Sequence, residues 1–257
     1  MRIRELTPVD FPDAENLARE AFFAADQFHL KKESAAAWLT SIPECLKNGT
    51  AFGAFESDLS GFIVCQNDEI TLLAVRPEAQ GKGLATKLLQ ALANDAEKKG
   101  KTRLRVRTLR SLVPLYRSFG FVSEGDEEEE DGILYVQMEY LLGRSWLGKQ
   151  VHVTIELPFG SYHPLYPDEE VTANKGYVDE RMAEGEYLPA YVAGVKEPLD
   201  SFTGSVTGLI YHRGVDGYAL IVAKDPHVLH DDTIRSIAFE EQYYDTQLIW
   251  ADEEETK

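Results

Sequence analysis

An apolar run, Leu72-Leu73-Ala74-Val75, passes through Arg76-Pro77-Glu78-Ala79-Gln80 into Gly81-Lys82-Gly83 and on to Leu84-Ala85. No other stretch narrows the fold as much. The apolar residues end a β-rich run that begins at Glu69, and Leu84, Leu88, Leu89, Leu92 and Ala96 then recur at the spacing of one helix face. Lys98-Lys99-Gly100 closes that helix with the cations and glycine that suit a C-terminus. A strand turning through glycines into a helix leaves the first helical N–H groups unpaired and aimed at one point, where the helix dipole reinforces them. Such a turn is a cradle for a pyrophosphate. Gly81 and Gly83 let the backbone approach phosphates closely, and Lys82 and Lys87 offset their charge. The pattern is neither a Gly-x-x-x-x-Gly-Lys-Ser/Thr loop nor a complete Gly-x-Gly-x-x-Gly turn.

Around this segment the periodicities predict an α/β layout. Arg2 to Leu6 alternates like a strand, Thr7-Pro8-Val9-Asp10 is a turn, and Ala14, Leu17, Ala18, Ala21 and Phe22 mark a first helix. A second helix carries Ala35, Trp38, Leu39 and Ile42 until Pro43 interrupts it. Thr50 to Glu56 and Gly61 to Gln66 form a hairpin across Ser57–Ser60, ahead of the strand from Glu69 to Val75. Leu104, Val106 and Thr108 alternate with Arg103, Arg105 and Arg107 in a further strand. A short helix near 112–119 and strands near Phe121 and from Ile133 to Tyr140 complete a mixed sheet covered by helices. The acidic run Glu124–Asp131 reads as a solvated hairpin loop between the last two strands.

From Gln150 to Trp250 the texture changes to short apolar strands broken by glycine and proline, with one helix near 231–244. The organisation expected is a domain over 1–142, a linker at 143–148, a β-rich domain over 149–250 and an acidic tail at 251–257. A length of 257 residues suits two domains, and 44% hydrophobic residues supply their cores. The opening Met1–Leu6 lacks the apolar segment of a leader, and no run reaches the roughly 18 apolar residues of a membrane span. A cytoplasmic protein without a membrane partner is therefore expected. Cys45 and Cys65 are too few for a disulfide framework or a thiolate metal site. A net charge of -18 argues against nucleic acid as a partner, so any anionic ligand must be captured locally.

Gln80-Gly81-Lys82-Gly83-Leu84-Ala85 resembles the Gln/Arg-x-x-Gly-x-Gly/Ala motif of the GNAT superfamily of N-acetyltransferases, in the strand-loop-helix setting that motif requires. Val113–Phe121 is similar to the family's late helix, with Tyr116 four residues before the Gly120-Phe121 pair. The family usually has an asparagine seven residues before that tyrosine; Leu109 stands there, so one coenzyme A contact is missing or replaced. The resemblance covers residues 1–142. It implies acetyl-CoA as cosubstrate, held at its pyrophosphate by Gln80, Gly81, Lys82, Gly83, Leu84 and Ala85. It further implies a sheet splayed beside Glu69–Val75, with the pantetheine arm paired to backbone groups of Ala74 and Val75.

Acetyl transfer from that thioester to a small-molecule or peptide amine needs a neutral amine, a polarised carbonyl and a protonated leaving thiolate. Glu69 stands where several family members carry the base, and equally reads as a solvated strand end. Tyr116 matches the family's general acid, and its alternative role is packing the late helix on the sheet. A strand N–H near Leu73 or Ala74 polarises the carbonyl. Cys65 as an acyl-cysteine nucleophile is the rival to direct transfer, but it sits in an apolar run with no histidine close in sequence. The negative charge favours cationic acceptors by long-range attraction.

The second domain resembles short soluble inorganic pyrophosphatases through Val153–Pro158, Gly160-Ser161, Asn174–Tyr177, Ala190–Val195 and Phe202–Gly204. The resemblance implies a small closed OB-like β-barrel with a flanking helix. The family's Asp-Gly-Asp/Glu-x-x-Asp cluster reads Glu184-Gly185-Glu186-Tyr187-Leu188-Pro189 here, only Asp216 remains of a later aspartate pair, and Lys175 replaces an aromatic. Glu156, Glu184 and Glu186 form either a residual site for one metal or a solvated acidic mouth. The expectation is a silent relative without metal, used for binding, regulation or contacts within a homodimer. An acetyl-CoA sensor, a metal- or phosphate-binding regulator and a surviving pyrophosphatase are the alternatives.

Overall fold

The computed structural model describes residues 1–24, 32–130, 133–164, 167–168, 170–181, 187–212, 217–224 and 246–251. The chain divides into two compact units, one of Met1–Glu97 with Arg103–Leu142 and one of Lys98–Thr102 with Gly143–Lys257.

The first unit is built on strands β1 (Arg2–Glu5), β2 (Thr50–Phe55), β3 (Leu59–Gln66), β4 (Glu69–Val75), β5 (Arg103–Leu109), β6 (Val122–Ser123), β7 (Glu128–Glu130) and β8 (Ile133–Leu141). They lie in the order β1-β2-β3-β4-β5-β8-β6, with β7 paired to β8. β4 and β5 run parallel and the other neighbours antiparallel, which makes the sheet mixed as expected. Four helices cover it: α1 (Phe11–Ala24), α2 (Lys32–Asn48), α3 (Leu84–Lys98) and α4 (Val113–Phe119).

Alternation along the strands divides the core in two. In β3, Ile63 joins a cluster with Leu88, Leu89 and Leu92 of α3, while Phe62 and Val64 join Leu17 of α1 and Ile42 of α2. Successive strand residues point to opposite faces, so α3 covers one face and α1 with α2 the other. Each of these fully buried leucines contributes about 1.5–3 kcal/mol by leaving water. The turn into α1 is locked by Asp10, whose carboxylate takes two bonds from Arg4 (2.7 and 2.8 Å) and one each from the Thr7 N–H and hydroxyl.

Two local expectations need correction. Pro43 does not interrupt α2, which continues through it to Asn48. Proline costs an interior helix about 3 kcal/mol, but Ile42 and Leu46 on either side are wholly buried, and their packing holds the helix together. The acidic run is also more ordered than a solvated loop. Glu128–Glu130 is an edge strand on β8, drawn there by Arg107, which pairs with Glu128 (3.3 Å) and Glu130 (2.8 Å), and by Arg110, which pairs with Glu127 (3.1 Å).

The second unit contains β9 (Gln150–Leu157), β10 (Asn174–Arg181), β11 (Tyr187–Val192), β12 (Ser201–His212), β13 (Tyr218–Ala223) and β14 (Thr246–Trp250). β9, β10, β11, β13 and β12 pair in a closed circuit, and β14 adds to β12. The result is a five-stranded barrel with an extra strand. Fully buried Asn174 ties its surrounding loops together: its Oδ1 accepts from the Phe159 and Leu199 N–H groups and its Nδ2 donates to the carbonyls of Val195 and Glu197. Residues 143–148 are fastened to this unit, for Arg144–Trp146 is a 3-10 turn and the Gly148 N–H donates to the Val206 carbonyl. The helix expected near 231–244, the acidic tail, Glu184, Glu186 and Asp216 lie outside the described residues.

Candidate active site

The opening in the sheet follows from the pairing of β4. On one side it runs antiparallel to β3 along its length, from Gln66↔Glu69 to Gly61↔Val75. On the other it meets β5 at a single register pair, Glu69↔Arg105, held by the Arg105 N–H donating to the Asp68 carbonyl at 2.7 Å. Beyond that rung the two parallel strands separate. Apolar Leu73 and Val75 are half-buried beside the gap, and their backbone groups have no strand partner there.

The register states which groups face the gap. The Arg76 N–H donates to the Ser60 carbonyl (2.9 Å), so Gly61 and Val75 form a widely spaced antiparallel pair. The N–H and C=O of Ala74 therefore belong to the β3 ladder, while those of Leu73 and Val75 point toward β5. Ala74 and Val75, the two expected to meet the pantetheine arm, thus differ in backbone direction, and Leu73 shares that of Val75. Ala74 instead contributes its side chain to the core beneath α1 and α2.

A bulge sharpens the geometry. Cys65 pairs with Ile70 and Val64 with Leu72, leaving Thr71 as the extra residue on β4. Ile70 consequently turns into the α3-side core, whereas Leu72 and Ala74 turn into the other. Glu69, next to Ile70, projects from the face that α1 and α2 cover, and it is exposed. Cys65 is buried on the α3 side, facing away from Glu69.

Directly beyond β4, Pro77–Ala79 forms a 3-10 turn that leads through Gln80 to the glycines. The Gln80 Nε2 donates to the Val75 carbonyl at 3.1 Å, so a loop side chain occupies the last acceptor on the open edge. Gly81 and Gly83 have φ of 71° and 72°, the left-handed region that suits glycine, and a Cβ on either would meet nothing within 4 Å. The glycines are thus needed for chain direction, and the space in front of them is open. Lys82 and Lys87 are exposed beside it. Leu84 is buried and anchors the start of α3, whose first N–H groups have no acceptor within the helix; Ala85 follows half-buried. This cradle fits a diphosphate-bearing cosubstrate.

Tyr116 lies on α4, in the cluster that also holds Leu84 and Val106, so it approaches from the face opposite to Glu69. It is 4% exposed and meets Phe121 edge to face, with ring centroids 5.3 Å apart. Burial raises its hydroxyl well above the usual tyrosine value, so it keeps its proton at neutral pH. The packing role and the acid role are compatible in this setting. Sequence patterns left open whether Leu73 or Ala74 offers its N–H to the gap and missed Arg105 as the register partner of Glu69, because both depend on strand pairing.

A second concavity lies within the barrel, lined by Glu156, Leu157, Lys175, Tyr177, Tyr187 and Pro189. Tyr177 and Tyr187 stack at 4.4 Å, and a Cβ on neighbouring Gly176 would collide with the Thr154 carbonyl. Lys175 and the apolar ring of Pro189 line the same cleft as Glu156.

The first unit is thus an α/β fold with one splayed parallel strand pair and a glycine turn at its end. Residues 16–142, just under half of the chain, match the family model described as an acetyltransferase (GNAT) domain. The N-terminal unit is a GNAT-family N-acetyltransferase domain, and its cosubstrate is acetyl-CoA. Similar solved structures include a GCN5-related N-acetyltransferase from Rhodopseudomonas palustris, 18% identical, covering 55% of this chain and 95% of its own, at a TM-score of 0.48. The PaiA N-acetyltransferase of Thermoplasma acidophilum, solved with coenzyme A, is 22% identical over 54% of this chain and 98% of its own, at 0.45. A ribosomal-protein-alanine N-acetyltransferase from Brucella melitensis is 17% identical over 55% and 100%, at 0.43. No curated protein matches the chain. Among the described residues no helix is long and apolar enough to cross a membrane.

Proposed function

We propose that this protein acetylates an amine by direct transfer at the opening between β4 and β5, with Glu69 as base and Tyr116 as acid. The observation that carries the reading is the single Glu69↔Arg105 rung, beyond which the strands part and the glycine loop follows. Gly81, Lys82, Gly83, Leu84 and Ala85 hold the diphosphate through backbone N–H groups and the helix dipole, with Gln80 bracing the turn. Val75 and Leu73 pair with the pantetheine arm as an added strand would. Acetyl-CoA, when bound, supplies a thioester. The Leu73 N–H then lies on the open edge to polarise its carbonyl. Glu69 takes the amine proton from one face of the sheet, directly or through water, and Tyr116 gives its proton to the departing sulfur from the other. Cys65 has no part in this reading, since it lies on the α3 side, facing away from the Glu69 carboxylate.

The barrel we read as an OB-like relative of small inorganic pyrophosphatases that no longer hydrolyses pyrophosphate, and that serves in binding, regulation or homodimer contacts. Pro189 and Lys175, both lining the cleft with Glu156, support the reading, since an apolar ring stands where that family carries a carboxylate and an ammonium adds positive charge to a cleft that would have to attract a divalent cation. Both readings are tested on the full chain. Acceptor-dependent release of coenzyme A thiol, abolished in Glu69→Gln with acetyl-CoA binding intact, supports the first; Mg²⁺-dependent phosphate release from pyrophosphate contradicts the second.

A further inference from the structure

Glu69 and Arg105 share a face as well as a register. Leu104 and Val106 both turn into the α3-side core, so Arg105 between them projects from the opposite face, as Glu69 does from β4. A carboxylate and a guanidinium thus stand side by side where the sheet begins to open, on the face where acceptor meets base. They form no ion pair with each other among the described contacts.

The three arginines on this face of β5 differ in their surroundings. Arg103 is 7% exposed and bonded to Glu139 at 2.9 Å. Arg107 lies 3.9 Å over the Tyr135 ring and pairs with Glu128 and Glu130. Arg105 is 50% exposed, and its Nε is 3.7 Å from the Glu139 carboxylate that Arg103 already holds more closely. Of the three guanidinium groups, that of Arg105 is the most exposed and stands farthest from its carboxylate.

We propose that Arg105 determines acceptor class: the acceptor is an amine with a carboxylate close to the nitrogen, its amine at Glu69 and its carboxylate on the Arg105 guanidinium. The two side chains leave neighbouring strands at one register position, about 4.8 Å apart at the backbone, so a single small acceptor carrying both an amine and a carboxylate can meet both. Arg105 accepts such a carboxylate through paired N–H donors. The net charge of -18 favours cationic amines only at long range, where salt screens it beyond about 8–10 Å. Recognition at contact distance is decided by the residues at the opening. This inference rests on the transfer reading above.

The test uses the full chain and acetyl-CoA with the proteinogenic amino acids and β-alanine, each beside its carboxamide, and with spermidine and an aminoglycoside as cationic controls. At least one amino acid is preferred over its carboxamide by about tenfold or more in kcat/KM, the value of one charge-assisted hydrogen bond. Arg105→Gln collapses that ratio to about one, and Arg105→Lys keeps part of it because an ammonium retains the charge without the fork. A purely structural role for Arg105 would weaken acid and amide alike and leave the ratio standing. Preference for spermidine, the aminoglycoside or the carboxamides, or an unmoved ratio in Arg105→Gln, overturns the proposal while transfer itself stands. Acetyl-CoA binding without turnover of any acceptor overturns the transfer reading and this inference together.

Discussion

The Gln80 side chain donates to the Val75 carbonyl at 3.1 Å, joining the phosphate loop to the last residue of the strand that opens. The two regions to which the proposed function gives separate tasks, cradling a diphosphate and pairing a pantetheine arm, are therefore held in one geometry. Gln80→Ala removes this brace while leaving both glycines in place. Affinity for acetyl-CoA by calorimetry should fall about fivefold, the effect of one exposed hydrogen bond, with thermal stability nearly unchanged.

Gly81→Ala and Gly83→Ala separate conformation from packing. A Cβ at either position meets nothing within 4 Å, so no neighbour is displaced. The loss comes from forcing an L-residue to φ near 70°, about 1–2 kcal/mol. Each variant should lose acetyl-CoA affinity, and urea unfolding should show a stability loss of that size at most. A loss several times larger would mean the loop packs more tightly than its open surroundings indicate.

Tyr116→Phe keeps the ring that meets Phe121 and removes the hydroxyl. The expected result is a fall in kcat of about a hundredfold or more with acetyl-CoA affinity retained. A pH signature accompanies it. The folded hydroxyl holds its proton more tightly than the unfolded one, so its contribution to stability is complete below the unfolded value of about 10 and is lost as pH rises beyond it. Melting between pH 9 and 11 should fall more steeply in the wild type than in Tyr116→Phe.

Asp10 behaves in the opposite sense. Arg4, followed by the Thr7 backbone and hydroxyl, holds its carboxyl well below the usual carboxylate range, against the opposing effect of burial. Its contribution is present above the unfolded value of about 3.9 and disappears as pH falls toward the depressed folded value. Unfolding measured from pH 7 to 2 should show this acid loss in the wild type and a flatter profile in Asp10→Asn.

The Arg103–Glu139 pair is nearly excluded from water, with side chains 7% and 10% exposed. Glu139→Ala removes the carboxylate that a buried guanidinium meets at 2.9 Å and should cost about 3–5 kcal/mol. Replacing both partners together, Arg103→Met with Glu139→Leu, should recover most of that loss by chemical denaturation. Equal loss in single and double variants would mean the site cannot repack.

How much of this was legible in the chain depended on the range of the forces involved. The loop at Gly81 and Gly83 was readable because its conformation is set locally by glycine and by the helix that Leu84, Leu88 and Leu92 bury. The continuation of α2 through Pro43 was hidden, since it depends on what Ile42 and Leu46 pack against. Glu69-Ile70-Thr71-Leu72 looks like an ordinary strand, and only pairing with β3 reveals that Thr71 bulges and turns Ile70 and Leu72 to opposite faces. The same dependence on register decides that Leu73 rather than Ala74 turns its N–H to the open edge. Glu128–Glu130 read as loop because like charges repel, and it is pairing with β8, beside Arg107 of β5 and Arg110, that makes it an edge strand. A closed barrel was expected in the second unit and its strands do close, with five strands in the circuit, while the helix assigned near 231–244 falls outside the described residues.

The central claim is that an amine is acetylated where β4 and β5 part. The most direct measurement is acceptor-dependent thiol release from acetyl-CoA by the wild type and by Glu69→Gln, with acetyl-CoA affinity measured on the same samples. The account predicts turnover in the wild type, and in Glu69→Gln a kcat lower by about a hundredfold or more at unchanged affinity. Acetyl-CoA binding without acceptor-dependent thiol release, or a Glu69→Gln protein as active as the wild type, would contradict it.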